Sequence, residues 1–302
     1  MWVGFAFLSA LLLGLYDAAK KRSLTANAVI PVLLLNTLFS TILFSGVILD
    51  AEFSFGWFEG TSFESSRGTL SEHALVATKA VITLSSWLFG YYAIKHLPLT
   101  IVGPVNATRP VVVIIGAMLL FGERLNLWQW GGVLLTIVSL YLLGRAGKRE
   151  NIDFRSSRYV WALFAAMLLG AVSGLYDKYI ISAHELDALF VQSWFGVYQL
   201  IIMVVIASII WLPRRHTERF RWSWAIPLIS LFVSAADFFY YHALESEDAM
   251  IAVVSMIRRA SVIVTFLCGA MLFGERNLRT KALDLLLILV GMALLAIGSY
   301  EG

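Results

Sequence analysis

The chain has 302 residues, of which 59% are hydrophobic and 14% charged, with 23 Lys/Arg against 20 Asp/Glu. Soluble domains carry about a quarter charged residues, so this balance, with a mean hydropathy of +0.79, excludes a soluble globule and predicts a polytopic membrane protein. The formal charge of +3 concerns loop placement and suggests no nucleic-acid partner, while a lone cysteine, Cys268, excludes disulfides and a cysteine metal site.

A membrane-spanning helix needs about 20 apolar residues. On that criterion ten spans are expected, at roughly 2–20, 28–49, 74–96, 99–121, 126–144, 159–181, 187–212, 223–244, 248–273 and 279–299. The N-terminal run lacks the basic leader and cleavage site of a signal peptide, so it reads as a first span that stays. Most connections are short. The longest, Asp50–Glu72, is acidic with Arg67 as its one base, and it reads as a solvated loop with an interfacial turn around Phe53–Phe58. Tryptophans such as Trp2, Trp128, Trp161 and Trp211 fall near span ends, where interfacial aromatics collect.

The chain repeats itself. Gly116–Arg124 reads GAMLLFGER and Gly269–Arg276 reads GAMLFGER; Gly14-Leu15-Tyr16-Asp17 recurs as Gly174-Leu175-Tyr176-Asp177. At the matching spacing Arg109 falls opposite Arg259. The expected organisation is therefore a five-span repeat over 1–144, a polar basic hinge over 145–158, and a second five-span repeat over 159–302. Five is odd, so the second repeat should be inverted relative to the first. Loop charge agrees: sixteen Lys/Arg fall on the face of the odd-numbered loops and the hinge, and four (Arg67, Lys79, Arg124, Lys178) on the other. Basic short loops stay cytoplasmic, which predicts non-cytoplasmic termini and a cytoplasmic hinge in a plasma (inner) membrane protein.

Ten spans in two halves, each with a [FL]-G-E-[RK] turn after its fourth span, resemble the EamA-type branch of the drug/metabolite transporter superfamily over essentially the whole chain. The Ile257-Arg258-Arg259-Ala260 stretch is also distantly similar to the paired basic residues of phosphate translocators, relatives of nucleotide-sugar transporters. The resemblance implies a ten-helix permease with a central site. Two departures stand out: Asp284 occupies the position matching Gly132, and characterised relatives usually keep their termini in the cytoplasm.

Three arginines inside apolar runs, Arg109, Arg258 and Arg259, are the costliest residues in the chain, at about 2.5–3.5 kcal/mol each even on a lenient insertion scale. They must face water, pair with acids or bind an anion. Arg258 and Arg259 point about 100° apart on a helix, so Arg259, the repeat-matched one, is expected to line a cavity and Arg258 to pair, with Asp237 as its natural partner. Pro98, Gly103, Pro104 and Pro110 predict a broken span nearby, where Asn106 and Thr108 add polar side chains. Trp87, Tyr91, Tyr240, Tyr241 and His242 are candidate walls for a substrate, or ordinary packing. Asp17 (with Lys20 and Lys21 three and four residues on) and Asp177 (beside Lys178) are candidate coupling groups or structural ion pairs. The Glu123–Arg124 and Glu275–Arg276 turns read as structural, each capping the helix that follows.

These features predict a secondary transporter of a small organic metabolite, anionic or zwitterionic, working by alternating access between the repeats. The competing readings are proton-coupled efflux of cationic compounds through Asp17 and Asp177, and a membrane scaffold or receptor whose interior is dry and fully ion-paired. No HExxH, GxSxG, P-loop or CxxC pattern supports an enzyme, and no cofactor or metal is expected. The expected partners are the bilayer, the substrate, and protons or a counter-substrate, in a monomer or homodimer.

Overall fold

The computed structural model describes residues 2–25, 27–61, 63–112, 125–148, 150, 152–180, 184, 186–244 and 257–300. Among these the chain is all-helical, without strands. The helices are α1 (Trp2–Leu24), α2 (Val29–Phe53), α3 (Leu70–His96), α4 (Leu99–Ala107), α5 (Leu127–Lys148), α6 (Arg158–Lys178), α7 (Ala188–Ile206), α8 (Ala225–Leu244), α9 (Ser261–Leu272) and α10 (Leu278–Tyr300). A π-turn (Ala207–Trp211) and a 3-10 turn (Leu212–Arg214) extend α7. Seven of these segments are long and apolar enough to cross a membrane, and Ala225–Tyr240 in α8 is a shorter apolar helix. Large apolar side chains such as Phe7, Ile42, Val81, Phe89 and Leu134 are exposed outside the bundle, as lipid contact requires. The protein is integral to a membrane.

Local chemistry sets the helix ends. Thr69 and Glu72 form a reciprocal capping box that starts α3, four residues earlier than hydropathy alone places it. At the close of α2, Ser54 adopts a left-handed conformation (φ 55°), and the Asp50 carboxylate accepts from the amides of Trp57 and Phe58. Phe53, Phe55 and Trp57 stack in series there, which gives the expected interfacial turn its form. The hinge is partly helical: α5 runs to Lys148, and Asp153 turns the chain by accepting from the Arg155 amide and the Ser156 hydroxyl. The Asp153 carboxyl is held below its usual range by those two donors. In the second GER turn, Gly274 (φ 60°) and Asn277 (φ 55°) take the left-handed region, so glycine is needed at the first of these. The first copy of that turn, with Glu123 and Arg124, lies outside the described residues.

The main helix pairs are α1 with α8 and α9, α3 with α6 and α7, α2 with α7 and α8, α4 with α9, and α5 with α10; smaller contacts join α3 to α1 and α2, and α4 to α10 and α6. Cross-links between turns show which ends share a face. The Asn27 amide group bridges to Arg221, Lys281 and Asn277 reach Glu150, and Lys21 reaches the carbonyls of Ile94 and Leu97. The opposite face ties Ser66 to Asp187 and Asn126 to Gly298. The odd-numbered connections thus lie together, as the loop charges predict. Three of the sixteen bases on that face are not free loop charges, however. Lys20 is buried in an ion pair with Asp17 within α1, Lys281 of α10 is buried against Glu150 of the hinge, and Lys21 donates to the carbonyls that end α3.

Candidate functional site

The fourth and ninth segments both break at an arginine. Helix α4 stops at Ala107; the Thr108 amide donates to Val105 (3.1 Å) and Val111 to Thr108 (3.0 Å). On the other side Ala260 donates to Ile257 (3.0 Å) and Ile263 to Ala260 (2.9 Å) before α9 resumes. Both sets are tight i→i+3 bonds that interrupt the α-helical ladder. Pro110 explains the first break, because it offers no N–H to the preceding turn. Arg109 follows Thr108, and Arg259 precedes Ala260, so each guanidinium stands beside a break. Arg109 lies ten residues past Leu99 and Arg259 thirteen before Leu272, about 15–20 Å along the helix axes from those ends.

The Arg109 guanidinium lies across α6 at Gly170, where an added Cβ would fall 2.6 Å from its Cζ. Its Nε is buried without a hydrogen-bond partner, and it lies within electrostatic reach of Tyr16 and Asp17. Arg259 lies within reach of Arg109, Tyr240 and Arg258. Its side chain is exposed at the surface. Among the described residues neither arginine has a carboxylate partner.

The neighbouring charges are neutralised. Arg258 pairs with Asp237 and lies over the Tyr240 ring at 4.3 Å. Asp17 pairs with Lys20 at 2.7 Å and accepts from the Thr265 hydroxyl at 3.0 Å. Lys20 in turn lies 3.9 Å from the Tyr16 ring and 5.7 Å from that of Tyr91. Gly14 permits this junction: a Cβ there would meet Val264 at 2.3 Å, so only glycine lets α1 approach α9 closely enough for Asp17 to reach Thr265. Asp177 pairs with Lys79 of α3 at 3.0 Å. Lys79 crosses from α3, the helix against which α6 packs; the side chain of Lys178, the neighbour in sequence, lies outside the described residues.

Several candidates lie apart from the arginine pair or are already engaged. Tyr91 is buried against Lys20, and Trp87 meets the edge of Phe195 at 6.1 Å. Thr108 is buried and donates its hydroxyl to Val105, a bond within its own chain turn, whereas Asn106 is half-buried beside it. The side chains of Lys178, Tyr241 and His242 lie outside the described residues. The turn at Glu275 is structural, but it caps a different helix from the one expected. Its carboxylate accepts from Leu99 N (2.6 Å), Thr100 N (2.8 Å) and Thr100 Oγ1 (2.6 Å), so it holds the start of α4 instead of α10. The reason is that the α4 amides are buried and otherwise lack acceptors at the N-terminus. Thr265, Lys79 and Gly170 had no signal in the sequence beyond their residue types, whereas Gly14 stood in a repeated motif.

Residues 1–145, just under half of the chain, match the EamA-like transporter family. No curated protein matches the chain. Among solved structures, one described as "Crystal structure of protein" superimposes with a TM-score of 0.60 over 99% of this chain and 98% of the other, at 16% identity. A likeness at that identity concerns the fold alone.

Proposed function

We propose that this protein is a secondary transporter of a small anionic or zwitterionic organic metabolite, bound near mid-bilayer between two inverted five-helix halves. The observation that carries the reading is the pair of mutually repelling guanidiniums, Arg109 and Arg259, at two helix breaks and without carboxylate partners among the described residues. Two such cations facing one recess favour an anion between them. The guanidinium fork suits carboxylate or phosphate.

The helix contacts support inversion. Exchanging α1–α5 with α6–α10 turns the α1–α8 pair into α6–α3, α3–α7 into α8–α2 and α1–α9 into α6–α4, all of which occur, while α2–α7, α4–α9 and α5–α10 map onto themselves. Discontinuous helices at a repeat interface are where transporters of this plan bind substrate, and rocking of the halves would expose the site to each face in turn. The loop charges favour a cytoplasmic hinge in an inner or plasma membrane. Cation efflux through Asp17 and Asp177 is less favoured, since each already holds a lysine. A fully paired scaffold is disfavoured by the arginines themselves. Neither an enzymatic step nor a cofactor is part of this reading.

The test is uptake by purified protein in proteoliposomes against matched carboxylates, phosphate esters and amines. Anions should be preferred, and Arg259→Ala or Arg109→Ala should weaken the selected anion about ten- to a hundredfold, as loss of a charge-assisted contact worth about 1.5–3 kcal/mol implies. Arg→Lys should fall between. Unchanged anion affinity in both folded alanine variants would refute the site.

A further inference from the structure

Asp17, Asp177 and Asp237, inside the helices, each face a cation. Asp284 does not. It lies on α10, is 0% exposed, and among the described residues neither of its carboxyl oxygens has a hydrogen-bond partner. Its surroundings explain why. Helix α10 crosses α5 so closely that a Cβ on Gly132 would fall 2.7 Å from the Gly291 carbonyl. The nearby hydroxyls are committed to main chain: Ser139 donates to the Asp284 carbonyl at 2.7 Å and Thr136 to the Gly132 carbonyl at 2.9 Å.

The charged groups on the elements around Asp284 are few. Helix α5 carries only Arg145 and Lys148, in its last turn, and α4 and α9 carry none. The turn before α10 holds Glu275 and Arg276, the hinge brings Glu150, and α10 itself has Arg279 and Lys281. Lys281, one turn before Asp284, is also 0% exposed, but its ammonium goes to Glu150 (2.8 Å) and to Thr100 Oγ1 (2.9 Å). A carboxylate anion enclosed without donor or cation is among the costliest groups a bilayer protein can hold, and the neutral acid is not.

We propose that Asp284 is a proton-binding site, held as the neutral acid while α5 and α10 are packed, and that release of its proton draws Lys281 away from Glu150 and Thr100. In that step the carboxyl O–H bond breaks, the proton passes to water at the basic face, and the carboxylate takes the Lys281 ammonium as its counter-ion. No electrons are transferred. Residues three apart on a helix share a face, so the exchange needs only a change of Lys281 rotamer. Thr100 links the site to transport, since its amide and hydroxyl also bind Glu275 at the start of the segment that leads to Arg109. In the repeat Gly132 stands opposite Asp284 and Gln129 opposite Lys281, so the proton site has no twin in the first half.

The test uses the full chain in lipid nanodiscs and infrared spectroscopy. At neutral pH the wild type should show the carbonyl stretch of a protonated carboxylic acid, and Asp284→Asn should abolish it while Asp17→Asn and Asp177→Asn keep it. Absence of that band in wild type overturns the proposal, whether or not any variant folds; its persistence in Asp284→Asn does so equally. Lys281→Gln should retain the band and move its loss to higher pH, because the anion then lacks its counter-ion; an unchanged midpoint would refute the Lys281 exchange. The transport arm alone rests on the function proposed above: Asp284→Asn should keep substrate exchange and lose accumulation driven by a pH gradient. Failure of anion transport would leave the infrared result standing, so the two readings fail separately.

Discussion

Glu275 offers the most direct energetic test of how the two halves are joined. Its carboxylate receives three hydrogen bonds from Leu99 and Thr100, both 0% exposed. Replacement by alanine leaves two buried main-chain donors without acceptors, at about 1–3 kcal/mol each. Glu275 itself is only half-buried, so the anion regains hydration that offsets part of its contribution. A net loss of about 2–4 kcal/mol is expected, above the ~0.5–2 kcal/mol of an ordinary helix cap, because the donors here are enclosed. Glu275→Gln keeps acceptor oxygen and should lose about half as much. The assay is reversible unfolding in mixed micelles by sodium dodecyl sulfate, with Thr100→Val as the second arm of a double-mutant cycle. A coupling of about 1–2 kcal/mol is expected between the two residues, which share one network. Gly269→Ala should reproduce part of the loss, since the new Cβ would sit 2.8 Å from a Glu275 oxygen. A Glu275→Ala variant within about 0.5 kcal/mol of wild type would refute the assignment of the cap.

Two further outcomes follow from the same contacts. Gly14→Leu should force α1 from Val264, separating Asp17 from Thr265 and costing about 1–3 kcal/mol or more; wild-type micelle stability would show that the close α1–α9 approach is not required. For topology, a single cysteine at Ser156 should be shielded from a membrane-impermeant thiol reagent in intact cells and one at Ser65 should label, in a Cys268→Ser background; the opposite pattern would reverse the proposed orientation.

The sequence by itself determined where apolar segments run, that the chain repeats, and which arginines are too costly to leave unexplained. These follow from composition and spacing along one strand of chain, and a helix of about 20 apolar residues has few alternatives in lipid. It also held the proper partner for Asp237, because Arg258 is the arginine turned away from the repeat-matched one. Tertiary structure decided the remaining pairings. Asp177 meets Lys79 of α3, Glu275 caps α4 across the halves, Arg109 rests on Gly170, and Asp284 is left without a partner among the described residues in the α5–α10 crossing. Each depends on the register of one helix against another, where a one-residue shift turns a side chain by about 100°. Periodicity along a single helix carries no record of that register; it is set by where glycines such as Gly14 and Gly132 allow two backbones to touch.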